Sequence, residues 1–193
     1  PTMADRRGPA PHGFAVIDKA PGWTSHDVVA KARGILRTRK IGHAGTLDPD
    51  ATGVLVLGVG HATRLLRYCT TLGKSYIGEI VFGVETSTLD AAGTITARHD
   101  MTALTNAQVQ VAAQPFLGAI EQIPPMVSAV KIGGQRLHEL ARQGIEIDRP
   151  PRPVRIDRFE LESLGVDAQG HPVYRCDVAC SSGTYIRTLA ADL

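Results

Sequence analysis

Ile41-Gly42-His43-Ala44-Gly45-Thr46-Leu47-Asp48-Pro49-Asp50-Ala51-Thr52-Gly53-Val54-Leu55-Val56-Leu57 sets a flexible backbone, a carboxylate between breakers and an abrupt apolar run side by side. Gly42 and Gly45 permit positive φ and close backbone approach, while Pro49 steers Asp48 away from the α region and removes an amide donor. Asp48 is therefore read onto a stiff, sharply turned loop. Val54 to Leu57 reads as a short buried strand or helix that anchors this loop to a core. Such a mount suits a carboxylate with a chemical task. A plain turn, initiated by Asp48 and Asp50 ahead of a core segment, fits the same spacing.

Immediately upstream the charge is one-sided. Between Val28 and Leu47 there is no Asp or Glu, yet Lys31, Arg33, Arg37, Arg39 and Lys40 fall there. A phosphate backbone is attracted to such a run, and a solvated helix face carries one equally well. The whole chain of 193 residues is 43% hydrophobic with a formal charge of +2, enough apolar matter for one sizeable core and too little net charge to decide the partner. No stretch approaches the roughly 18 apolar residues of a membrane span, and the start lacks the apolar segment of a secretory signal, so a cytoplasmic protein is expected. Three cysteines argue against a disulfide scaffold. Cys176 and Cys180 alternate along a strand pattern about 13 Å apart, too far to bridge, and with Cys69 read as small buried hydrophobes.

Residues 1–13 lack periodicity and read as a flexible tail. Phe14 to Asp18 reads as a strand closed by the breakers of Lys19-Ala20-Pro21-Gly22. Thr24 with Asp27 then caps a helix whose stripe is Val28, Val29, Ala32, Ile35 and Leu36. Beyond the central loop, His61 to Thr70 reads as a helix and Lys74 to Phe82 as a strand with Tyr76, Gly78, Ile80 and Phe82 on one face. Thr94 to Arg98 follows as a strand, then a helix capped by Thr105 and Gln108 with the stripe Val109, Ala112, Ala113 and Phe116. A basic insertion at about 133–153 sits within an arginine-rich stretch from Gln135 to Arg158. Val154 to Leu164 and Pro172 to Cys180 form a hairpin pair, and Ser181 to Thr184 caps a last helix that opens with Tyr185-Ile186-Arg187. The pattern is α+β: a mixed, largely antiparallel sheet with flanking helices. The final helical pattern runs to Leu193 without a stop signal, so the sequence reads as clipped.

Five segments carry a resemblance. Gly42 to Gly53 fits G-H-A-G-T-L-D-P-x-A-T-G, the catalytic signature of the bacterial tRNA pseudouridine-55 synthases, the TruB family. Asp18 to Ser25 resembles the family's D-K-P-x-G-x-T-S with the proline one place late, and Thr86 to Gly93 fits T-x-T-x-D-x-x-G. Gln122 to Lys131 resembles the family's I-P-P-x-Y-S-A-x-K segment with Val127 at the tyrosine, and Cys180 to Arg187 fits the third motif. The resemblance implies the pseudouridine synthase catalytic fold over residues 14–193 and the absence of the family's C-terminal PUA-type domain. It implies that Asp48 is catalytic, that His43 stands beside the target nucleotide, that Tyr76 packs on the uracil, that Tyr185 lines the base pocket and that Arg187 pairs with Asp48. Lys19, Arg37, Arg39, Lys40, Lys74 and Arg142 are the candidates for RNA backbone contact. The basic insertion is expected to close over the T-arm, with His138 where tyrosine is common.

Moving uracil from an N1 to a C5 linkage involves no net redox or hydrolysis, so no cofactor and no metal are expected. The partner expected is tRNA at its T-arm, without a membrane, and the chain is expected to act as a monomer. A guide-RNA-dependent relative runs the same chemistry. Asp48-x-Asp50-x-Thr52 also fits the D-x-D-x-T of aspartyl-phosphate hydrolases, although those want a continuous apolar strand before the first aspartate. A non-catalytic RNA-binding domain is the third alternative.

Overall fold

The computed structural model describes residues 11–128 and 130–193, with the side chains of Lys131, Arg136, His138 and Arg142 outside that description. Most of the expected tail, residues 1–10, lies outside it too. The described chain divides into two compact units, one ending at residue 72 and the other covering 73–193.

In the first unit, β1 (Gly13–Lys19) leads into α1 (Ser25–Leu36), and β2 (Ile41–His43) and β3 (Gly53–Val59) follow, the three strands pairing antiparallel in the order β1-β3-β2. Val16 sits opposite Val56, and His43 opposite Leu57. Thr24 caps α1 reciprocally with Asp27, as its spacing predicted, and Arg37 ends the helix in the left-handed region at φ 49°. The helix lays Val29 on Leu55, Leu57, Val59 and Ile41. Each such side chain taken from water contributes about 1.5–3 kcal/mol. β3 is thus a strand, but alternating rather than wholly buried: Leu55 is 2% exposed and Val54 71%. Ile35, expected in the helix stripe, is exposed, because α1 has only one short sheet to cover. The expected helix at His61–Thr70 is a 3-10 segment (Gly60–Leu65) followed by α2 (Leu66–Cys69), a single α turn. Gly60, at φ 60°, turns the chain out of β3 here. Leu66 then packs over Gly58, where a Cβ would come within 2.8 Å of it.

The second unit runs β4 (Lys74–Val81), β5 (Val84–Thr86), β6 (Ile95–Arg98), α3 (Asn106–Ala113), β7 (Gly118–Gln122), β8 (Lys131–Ile132), β9 (Gln135–Arg136), α4 (Leu137–Arg142), β10 (Arg152–Val166), β11 (Pro172–Cys180) and α5 (Ile186–Asp192). An antiparallel sheet in the order β4-β11-β10-β7 is its frame, with β5-β6 and β8-β9 as small hairpins. Period-two burial along β11 places Tyr174, Cys176, Val178 and Cys180 inward, where α3 supplies Val109 and Ala113 and α5 supplies Leu189. None of the three cysteines is in a disulfide, and Cys69, read as a small buried residue, is only partly buried. Burial raises the thiol pKa of Cys176 and Cys180, in keeping with their reading as small core residues. Two register shifts interrupt the long β10-β11 pairing, one of them beside Gly165. The α+β class and the largely antiparallel sheet agree with the sequence reading.

Candidate active site

In the first unit the Asp48 loop is held from two sides. Ser25, 1% exposed at the start of α1, accepts from the Leu47 amide through its Oγ at 3.0 Å. On the other side of Asp48, the Pro49 carbonyl accepts from Lys19 Nζ at 2.8 Å and from the Gly22 amide at 2.9 Å. Asp48 itself is exposed, and its carbonyl accepts from the Ala51 amide at 3.1 Å, closing a tight turn. The loop that Pro49 was expected to stiffen is also held by hydrogen bonds with Ser25 and Lys19.

His43 ends β2 on the entry to this loop and donates from Nδ1 to the Gly45 carbonyl. Burial lowers its pKa below the usual imidazole range, against the raising effect of that hydrogen bond. The neutral ring with Nδ1 protonated leaves Nε2 as an acceptor. His26 stands edge-on to it at 5.2 Å.

The second unit holds Tyr76, Tyr185 and Arg187. Tyr76 lies half-buried on β4 opposite Val178 and packs on the core. Arg187, on the first turn of α5, donates to Thr88 O, Asp90 Oδ2 and Val127 O, each at 3.1 Å. Asp90 is fixed in turn: its Oδ1 accepts from Thr88 Oγ1 at 2.6 Å and from the Ala92 amide at 3.1 Å. Gly93 completes this turn because a Cβ there would sit 2.4 Å from Thr88 Oγ1. Tyr185 is the N-cap of α5 and has no side-chain cap bond, so the expected cap at Ser181–Thr184 is replaced. Gln122, 2% exposed at the end of β7, accepts from the Tyr185 amide through Oε1 at 3.0 Å. Gln122 and Asp90 are the positioning residues that reading by type missed. Both stood inside quoted segments, Gln122 ahead of Ile123-Pro124-Pro125 and Asp90 within Thr86 to Gly93, without a role of their own.

The cation candidates divide. Arg37, Arg39 and Lys40 are exposed, and among the described residues no carboxylate pairs with them. Lys74 opens β4 opposite Cys180, and the Arg142 side chain lies outside the described residues. Lys19 does not fit a phosphate contact. It is 1% exposed and donates to Ala20 O, Trp23 O and Pro49 O. Of the arginines read into a basic stretch up to Arg158, Arg155 and Arg158 belong to β10 and face Asp157 and Asp177. The segment before Asp48 is the three-residue β2 followed by a loop, which is not the continuous strand that aspartyl-phosphate hydrolases need. Among the described residues no group of three or more His, Cys, Asp or Glu could hold a metal, and no helix is long and apolar enough to cross a membrane.

The model of the TruB family pseudouridylate synthase N-terminal domain matches residues 33–186, a span that includes His43, Asp48, Tyr76 and Tyr185. The chain is 53% identical over 181 residues to tRNA pseudouridine synthase B of Symbiobacterium thermophilum, covering 94% of this chain and 60% of that protein. To the same-named protein of Moorella thermoacetica it is 50% identical over 182 residues, covering 93% and 59%. The chain thus spans about three fifths of the length of these relatives. Among solved structures, a chain of a Cbf5-Nop10-Gar1 complex matches with TM-score 0.62 and 30% identity, over 92% of this chain and 42% of that one. By its sequence over four fifths of its length, the chain belongs to the TruB family of pseudouridylate synthases.

Proposed function

We propose that the chain converts uridine 55 of the tRNA T-loop to pseudouridine, with Asp48 as the essential carboxylate. The braced mount of Asp48 within a TruB-family sequence is the observation that carries this reading. The N1 to C1′ bond breaks, the freed uracil rotates, C5 joins C1′, C5 gives up its proton to solvent and N1 takes one in exchange. That sequence asks for one ionised carboxylate held still against the nucleoside, a surface that keeps the freed base, and a means of taking the nucleotide from its stack. Asp48 meets the first need, acting at C1′, at C6 or as a base on the sugar. In all three roles the same oxygen must be immobile within reach of the ring. Tyr76 and Tyr185 supply aromatic surface, worth about 1–3 kcal/mol per stacked base, against a flipping cost of a few kcal/mol. Arg187 pairs with Asp48 in this reading, and His43 offers Nε2 to the neighbouring nucleotide. Arg37, Arg39 and Lys40 hold phosphates, and a monomer in the cytoplasm is the working state.

Tritium release from a T-arm hairpin labelled at uridine C5 tests the proposal. Wild type should release label, and Asp48→Asn should lose at least about a thousandfold in rate, since the carboxylate is the reacting group. Equal release by the variant removes Asp48 as catalyst. The guide-RNA-dependent alternative has less support, with 53% identity to a bacterial tRNA pseudouridine synthase B against 30% to the Cbf5 complex. Release that needs an added second RNA would favour it.

A further inference from the structure

Within the second unit an open cleft of about 350 Å³ lies between the start of β10 and the loop entering α5. It is lined by Arg152, Pro153, Val154, Ser182, Gly183 and Tyr185. Its walls are tied together by the fold. Arg152 stands opposite Gln122 in the β10-β7 ladder, and Gln122 Oε1 accepts from the Tyr185 amide at 3.0 Å. Three residues after Arg152, Ser181 N donates to Arg155 O at 2.8 Å and Arg155 N to Ser181 Oγ at 2.9 Å. Gly183, at φ +84°, has nothing within 4 Å of the place its Cβ would take, so the loop side of the cleft is open.

The polar groups facing this space are uncommitted. Arg149, Arg155, Arg158 and Arg175 each meet a carboxylate, from Glu146, Asp157, Asp177 and Glu162. Arg152 is exposed and, among the described residues, neither its guanidinium nor the Ser182 hydroxyl has a hydrogen-bond or ion-pair partner. A planar fork and a hydroxyl beside a proline and a tyrosine suit a phosphodiester with its sugar. The volume falls in the usual range for a small-ligand site, about 300–1,000 Å³. A free inorganic anion would leave the Pro153 and Tyr185 surfaces unused.

We propose that this cleft seats the sugar-phosphate of a nucleotide flanking the one at Tyr185, with Arg152 forked on the phosphodiester and Ser182 Oγ donating beside it. The proposal rests on the reading of RNA as substrate and adds a backbone subsite to it. No base edge is engaged, so the subsite gives register rather than sequence preference.

Binding of a T-arm hairpin to the full chain, read without turnover across a salt series, is the test. One lost phosphate contact flattens the slope of log Kd against log salt by about 0.7–0.9, so the gap between wild type and Arg152→Ala should grow about five- to eightfold for each tenfold fall in salt. Arg175→Ala, which removes the same charge from an ion pair, should keep the wild-type slope, and Arg152→Lys should recover the slope with part of the affinity. A methylphosphonate at one phosphate next to the target should weaken wild type and have no further effect on Arg152→Ala. The subsite is overturned if Arg152→Ala keeps the wild-type slope, if Arg175→Ala matches its loss, or if no single methylphosphonate shows the coupling. A chain that binds but forms no pseudouridine overturns the modification reading alone, because binding is measured separately.

Discussion

Lys19 is tolerated in the interior because three carbonyl oxygens stand where its water would be. By residue type it was a phosphate contact; the three-dimensional return of Pro49 onto β1, unreadable from local spacing, made it a brace. Lys19→Met keeps the stem and leaves those carbonyls short of a donor, which should cost about 2–4 kcal/mol in urea unfolding. An unchanged midpoint and slope would deny the brace. Ser25 escaped notice for a similar reason, since its neighbour Thr24 supplies the helix cap and its own partner lies 22 residues away. His43 adds a pH dependence of defined sign. Its folded pKa is lowered, chiefly by burial, so the unfolded chain binds more protons below the ordinary value of about 6.5. Stability is fully present above that value and is lost as pH falls through the folded pKa. Thermal unfolding of wild type and His43→Gln from pH 7.5 to 5 should show the variant with the flatter Tm profile; parallel profiles would assign the dependence elsewhere.

Elements were legible where the signal is local. Thr105 and Gln108 cap α3 reciprocally, as their spacing predicted, with Thr105 Oγ1 accepting from the Gln108 amide at 3.3 Å. Thr105→Ala should cost about 1 kcal/mol. Val178, 0% exposed at the centre of β11, should cost more as Val178→Ala, about 2–3 kcal/mol, because a cavity opens between sheet and helices. Chemical denaturation of both variants checks the order, and a larger loss from the cap would contradict the packing described for this core. Elements whose ends depend on distant partners were less legible. The last helix begins where the Tyr185 amide donates to the side-chain oxygen of Gln122 at the end of β7, and the apolar run after Gly53 alternates because its outer face meets no helix at Val54. The 3-10 segment after β3 reflects Gly60 and close packing of Leu66 on Gly58, neither of which leaves a periodic trace.

Over the whole molecule, the modest +2 conceals an uneven distribution. Residues 1–72 carry ten Lys and Arg against five Asp and Glu, a net of +5, which leaves −3 for residues 73–193. The ion pairs described are all in the second unit, where they neutralise Arg149, Arg155, Arg158, Arg175 and Arg187 in place. A polyanion is therefore drawn chiefly to the first unit, where Arg37, Arg39 and Lys40 lie between α1 and β2. If those three each neutralise a phosphate, the triple alanine variant should flatten the slope of log Kd against log salt by about 2–3 on a T-arm hairpin. Alanine at the paired arginines Arg155, Arg158 and Arg175 removes the same formal charge and should change that slope by less than about 1, since their counter-ions are already carboxylates. Equal effects from the two triples would mean that net charge, rather than its placement between α1 and β2, governs RNA capture.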